Sequence, residues 1–108
     1  MSYSLIYATA ANRDQALEIA RKLVEERLVA CVNVIDGATS VYWWEGKVQE
    51  EREALLLAKT ISANVSAVTR RILELHSYST PCVTALPISG GNLGFLEWVS
   101  SETVAVKQ

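Results

Sequence analysis

The stretch that decides the fold is Ala30-Cys31-Val32-Asn33-Val34-Ile35-Asp36-Gly37-Ala38-Thr39-Ser40-Val41-Tyr42-Trp43-Trp44. It is dense in β-branched and aromatic residues, the types that fit a pleated strand. Asp36-Gly37 in its middle suits a hairpin turn. A second turn signal, Glu45-Gly46-Lys47, follows close behind. Two hairpins so near each other would isolate the short segment Ala38 to Trp44. The preferred reading is one long strand, Ala30 to Trp44, that continues through a bulge or kink at Gly37. It turns at Glu45-Gly46-Lys47 and returns over Val48 to Thr60. A chain that turns back at Gly37 is the alternative.

Upstream, Asn12 with Gln15 marks a helix start, because an Asn cap and a Gln at N3 satisfy the first free amides. Ala16, Ile19, Ala20, Leu23, Val24 and Leu28 then form one helical face, so the spacing predicts a helix from Asn12 to Leu28. Ser4 to Thr9 before it reads as a buried strand. Downstream, Ser62 is placed to cap a second helix carrying Val65, Val68, Ile72 and Leu75, ending near His76. Val83 to Ile88 is a fourth strand, and Pro87 puts it at a sheet edge or a strand end. A Gly-rich turn, Ser89 to Asn92, leads to a short helix, Leu93 to Ser100, expected to bury Leu93, Leu96 and either Val99 or Trp98. Glu102 to Gln108 is expected as a small extra strand or a frayed end. The order β-α-β-β-α-β is the split β-α-β plan of an α+β fold, a four-stranded antiparallel sheet with two helices on one face. Residues 1–108 read as a single domain.

The strand lengths do not match the helices. Strand two would extend ~50 Å at ~3.3 Å per residue, and the first helix only ~25 Å at ~1.5 Å per residue. Much of the hairpin must project as a ribbon. Neighbouring strand residues face opposite sides, so Trp43 and Trp44 cannot both enter one core. A ribbon with aromatics on both faces needs a cover, and the simplest cover is another copy of the chain.

Composition excludes several classes. The 108 residues are 50% apolar and 20% charged with 5 Gly and 2 Pro, which excludes a disordered chain. A formal net charge of −2 with no basic run removes the main driving force for nucleic-acid binding. No apolar run approaches the ~20 residues that span a bilayer, so no membrane role is expected. The first residues, Met-Ser-Tyr-Ser-Leu-Ile-Tyr, lack a basic n-region and a cleavage site, so a cytoplasmic location is expected. Cys31 and Cys82 are then read as reduced, and neither belongs to a C-x-x-C pair.

Several segments together resemble the CutA family of divalent-cation-tolerance proteins. Leu28 to Val34 is similar to its L-x-A-C-V-N segment, and Tyr42-Trp43-Trp44-Glu45-Gly46-Lys47 to its Y-x-W-E-G-K hairpin. Glu51, Glu53 and Leu57 to Thr60 resemble the returning strand that ends in K-T. Leu75-His76-Ser77-Tyr78 with Pro81 matches H-P-Y-x-x-P in part. Ala85 to Ile88 and Leu96 to Val99 resemble the closing L-P and L-x-W segments. The resemblance implies a ferredoxin-like fold, a homotrimer, a response to divalent metals and copper binding in some members. It also implies an architecture shared with the trimeric PII signalling proteins. The chain departs from the family pattern at Ala8, where a copper-ligating Cys can stand, and at Leu75, where a second His can stand. Ser77 replaces a frequent Pro and Cys82 a frequent Glu.

The candidate residues follow from these readings. His76, Cys31 and Cys82 are the metal candidates, for Cu2+ or another divalent cation; no organic cofactor is predicted. For each there is a plainer reading: a His at a helix C-terminus, or a small buried thiol. Lys59, Tyr42, Trp44 and Tyr78 are the candidates for a ligand cleft between subunits. Lys59 ends an apolar run, where a cation binds an anion or merely snorkels. Glu50, Glu51 and Glu53 read as a solvated ribbon end, with a hard-cation site as the alternative. A small enzyme on the same fold, such as an acyl-phosphate hydrolase, is a competing function, but Thr9 to Asn12 lacks a Gly-rich phosphate loop.

Overall fold

The computed structural model describes residues 1–106. The elements are β1 (Tyr3–Ala10), α1 (Arg13–Glu25), β2 (Cys31–Trp44), β3 (Lys47–Ile61), a single 3-10 turn (Ser62–Asn64), α2 (Val65–Leu75), β4 (Val83–Ile88) and α3 (Leu93–Glu102). The strands form one antiparallel sheet in the order β2-β3-β1-β4. This is the expected split β-α-β plan. β4 is an edge strand, as Pro87 required.

The core lies between the sheet and two helices. In register, Ile6, Ala8 and Ala10 of β1 stand beside Ala58, Leu56 and Ala54 of β3. These pack with Ala16, Ile19, Ala20 and Leu23 of α1 and with Val68 and Ile72 of α2. The many alanines let helices and sheet approach closely, at interior packing density.

α1 begins as its sequence dictates. The Asn12 side chain accepts from the Gln15 amide at 2.8 Å, and Gln15 Oε1 accepts from the Ala11 amide at 2.8 Å. The helix stops at Glu25, short of the expected Leu28. Arg27 adopts a left-handed conformation (φ 58°), so the Leu28 amide donates back to the Leu23 carbonyl and the Arg27 amide to that of Val24. That is a Schellman ending with Arg in the place glycine usually takes. Ser62 does not cap α2. It opens the 3-10 turn, and its hydroxyl pairs with that of Ser4 at 2.7 Å.

The chain continues through Gly37. The register steps from Ile35 opposite Leu55 to Ala38 opposite Glu53, so β2 carries one bulged residue. Gly37 has φ +83°, the left-handed region such a bulge needs. The hairpin turns at Glu45 and Gly46, both at positive φ, the type I′ signature. β1 ends at Ala10 opposite Ala54, so among the described residues the ribbon beyond Glu53 has no third strand beside it. The molecule is accordingly elongated, 44 × 26 × 23 Å. At the ribbon tip Trp43 pairs with Val48 and Trp44 with Lys47, on opposite faces. Trp43 is 74% exposed and Trp44 47% exposed.

Two expectations at the end of the chain are corrected. In α3 only Val99 is buried; Leu96 is half-buried, and Leu93 and Trp98 are exposed. α3 touches β3 along one narrow line, and the Tyr3 hydroxyl reaches Ser100 Oγ at 3.4 Å. Residues 103–106 form neither a strand nor a frayed end. The Val104 amide donates to the Arg27 carbonyl at 3.0 Å, and the buried Asn64 side chain binds Val104 and Val106. Lys107 and Gln108, included in the expected extra strand, lie outside the described residues. Among the described residues no helix is long and apolar enough to cross a membrane.

Candidate functional site

Glu53 marks the point where β3 runs past the end of β1. It is 8% exposed, unlike its exposed neighbours Glu50 and Glu51. The solvated part of the return strand therefore stops one residue sooner than expected, at Arg52. What covers Glu53 is the segment from α2 to β4. Tyr78 donates its phenol hydrogen to Glu53 Oε2 at 3.4 Å. The segment is strapped across the end of β1 by further bonds. The Thr9 amide donates to the Cys82 carbonyl at 3.3 Å, and Gln15 Nε2 donates to Ser77 Oγ at 2.6 Å.

His76 lies at the centre of this strap. Its Nε2 meets the Thr9 carbonyl at 2.7 Å, and its Nδ1 meets the Tyr78 amide at 3.1 Å. Its ring packs on that of Tyr78, with centroids 4.6 Å apart.

The electrostatics are those of a negative, partly dry corner. Burial holds the Tyr78 phenol above the ordinary tyrosine value, and the charges of Glu53 and Glu51 push it the same way. Lost hydration and the Glu51 carboxylate do the same to Tyr42. Burial, then Glu53, raises the Cys82 thiol, which disfavours its thiolate. On the helix side of the ribbon base, a shallow hollow of about 340 Å³ is lined by Asn12, Arg13, Asp14, Asp36, Arg52 and Glu53. Its charges are mixed, and Arg52 already faces Asp36 at 3.6 Å.

The structure divides the expected site residues into two groups. Tyr42, Tyr78, Cys82 and His76 gather around Glu53, with Trp44 further along the same ribbon face. Lys59 and Cys31 lie elsewhere. They oppose each other in the β2–β3 ladder, and the Lys59 ammonium donates to Asn33 Oδ1. This second group sits on the sheet face turned away from α1 and α2, among Leu5, Leu57 and Leu86. Ala8 is fully buried in the core. Among the described residues no three of His, Cys, Asp and Glu stand close enough to hold an ion. The described residues of one copy thus bring no such group of three together. Sequence reasoning grouped Glu53 with Glu50 and Glu51 as a solvated ribbon end, a hard-cation site being the alternative, and did not set it apart; the signal was its place directly before the apolar run Ala54 to Ala58.

The chain can be set beside known proteins on this geometry. The sequence profile described as CutA1 divalent ion tolerance protein matches residues 4–102. The chain is 42% identical over 99 residues to the divalent-cation tolerance protein CutA of Thermus thermophilus, covering 92% of this chain and 96% of that protein. It is 44% identical over 99 residues to the chloroplastic protein CutA 1 of Oryza sativa, covering 92% of this chain and 56% of that protein. The chain thus spans little more than half the length of this longer relative. Among solved structures, CutA1 from Oryza sativa superposes with a TM-score of 0.95 at 42% identity, covering 98% of this chain and 97% of that one. The solved structure from Thermus thermophilus gives 0.92 at 41% identity, covering 94% and 99%. Profile, relatives and superpositions agree: the chain belongs to the CutA1 divalent ion tolerance protein family.

Proposed function

We propose that this protein works as a cytoplasmic homotrimer in the response to divalent cations, holding a cation or small ligand in clefts between its subunits. The observation that carries the reading is the ribbon, whose two faces present Trp43 and Trp44 to solvent, 74% and 47% exposed, with no helix or strand among the described residues laid over them. The sheet face away from α1 and α2 supports it, because Ile35 and Leu86 there are each 48% exposed. Apolar surface of that extent is stabilised by association. The ribbon then meets a neighbouring copy along Tyr42 and Trp44, and Tyr42 and Tyr78 form the wall of a cleft above Glu53 at its base. Lys59, flanked by apolar residues, supplies a cation to the same assembly from the sheet face. Both thiols, Cys31 and Cys82, are free, in keeping with a reducing compartment.

Copper is the first ion to test, since a soft thiol belongs to each residue group. A bound ion draws donors from more than one copy, because the described residues of a single copy do not bring three together. The experiment is calorimetric titration of the purified assembly with Cu2+, after its mass has been measured by light scattering. Saturable binding at one ion per cleft is expected. A monomer, or a trimer with no saturable heat for copper or zinc, contradicts the reading.

A further inference from the structure

His76 is the only histidine, and a metal reading selects it first. We infer that His76 is not a metal ligand but a positioning residue, a latch that holds Tyr78 against Glu53 across the end of β1. The inference deepens the cleft reading above and rests on it for the role of Tyr78.

The argument is one of donors and acceptors. A neutral imidazole has one N–H donor and one lone-pair acceptor. The Thr9 carbonyl, 2.7 Å from Nε2, can only accept, so Nε2 carries the proton. The Tyr78 amide, 3.1 Å from Nδ1, can only donate, so the Nδ1 lone pair points at it. Both partners are backbone groups and cannot exchange roles. They therefore select a single tautomer.

A metal needs a ring lone pair. Capture through Nδ1 would leave the Tyr78 amide without its acceptor. Capture through Nε2 would need the other tautomer, which sets Nδ1–H against the Tyr78 N–H and strips the Thr9 carbonyl of its donor. Either route also disturbs the ring contact with Tyr78. No compensating donor set waits beside the ring among the described residues. The two bonds instead act on Tyr78. They fix its backbone next to the ring, and its phenol then reaches Glu53 at 3.4 Å. His76 thus sets the shape of the cleft wall without touching what the cleft holds.

The test uses the full-length protein labelled with 15N, and Zn2+ as a diamagnetic probe. With one histidine, the ring nitrogens need no further assignment. We expect one protonated and one bare nitrogen, in the Nε2–H pattern, unchanged as Zn2+ is added. The Tyr78 amide should exchange about tenfold faster in His76→Ala, the loss of roughly one hydrogen bond. His76→Gln keeps a donor and an acceptor, and should restore part of that protection. Because Gln keeps both latch bonds, its Cu2+ affinity should stay within about twofold of the unmodified protein, below the roughly tenfold or greater loss that removal of even an outer-shell partner brings. A ring nitrogen that shifts in step with Zn2+ binding overturns the inference. So does a loss of about tenfold or more in Cu2+ affinity for His76→Gln with the Tyr78 amide unchanged. If the unmodified protein binds neither ion, the cation reading falls. The latch is then judged by the ring-nitrogen pattern and the exchange rates.

Discussion

Asn64 has no exposed surface, and each polar atom of its amide meets backbone. Nδ2 donates to the carbonyls of Leu28 and Val104, and Oδ1 accepts from the Val106 amide. It ties the α1–β2 loop to the segment after α3. Asn64→Leu keeps the volume and removes three hydrogen bonds; the Val104 carbonyl and the Val106 amide are left unpaired, while the Leu28 carbonyl keeps the Thr60 hydroxyl, so the fold should be destabilised by about 2–3 kcal/mol in urea unfolding. A change below about 0.5 kcal/mol would mean that water replaces all three bonds. Gly37 makes a second residue-scale case. A Cβ there would meet Arg52 Nη2 at 3.3 Å, on a backbone at φ +83°. Gly37→Ala should cost about 1–2 kcal/mol through the bulge, read by the same unfolding curve. Tyr78 gives a pH prediction. Its folded phenol holds a proton more tightly than the unfolded chain, whose value is near 10.0. Stability should therefore be complete below that value and fall as pH rises through it and on through the folded value. Glu53→Gln should bring the Tyr78 titration down towards 10.0, though burial will keep it above, as ultraviolet absorbance against a Tyr78→Phe control will show.

At the scale of elements, the strands were legible and their surroundings were not. Alternation along Val32, Val34, Leu56 and Ala58 reports a two-sided sheet in any context. The bulge at Gly37 was legible because two turn signals lay too close together for two hairpins. α3 defeated the same method. Its apolar residues Leu93, Phe95, Leu96, Trp98 and Val99 wrap around the helix, so no periodicity singles out Val99 as the buried one. The site was legible in part. Tyr42, Trp44 and Tyr78 stand out as aromatics, but Glu53 looks like Glu50 and Glu51 until the register shows β1 ending beside Ala54. The role of His76 depends on Thr9, a partner distant in sequence, and no local pattern encodes it. The ribbon also makes a prediction at this scale. Trp44→Ser should leave the far-ultraviolet circular dichroism unchanged, since the strand pairing of Trp44 with Lys47 is made by backbone and the residue lies outside the core. It should weaken self-association by about tenfold or more, as loss of a central aromatic anchor does at an interface. Analytical ultracentrifugation over a dilution series reads both the mass and its concentration dependence.

At the scale of the whole molecule, a chain of 108 residues has extended a strand pair well beyond its own helices. Its long dimension of 44 Å against 26 and 23 Å leaves the ribbon outside the body. Covering one indole recovers roughly 3 kcal/mol or more of apolar burial, and the ribbon carries two. In the proposed trimer each copy would shelter a neighbour's ribbon, which would turn that exposed surface into an interface and bring the Glu53 corner of each subunit beside another chain. The most direct test is the absolute mass from light scattering at low micromolar concentration. The account predicts a particle of three times 11.9 kDa. A stable particle of 11.9 kDa, with both indoles still open to solvent quenchers, would contradict it.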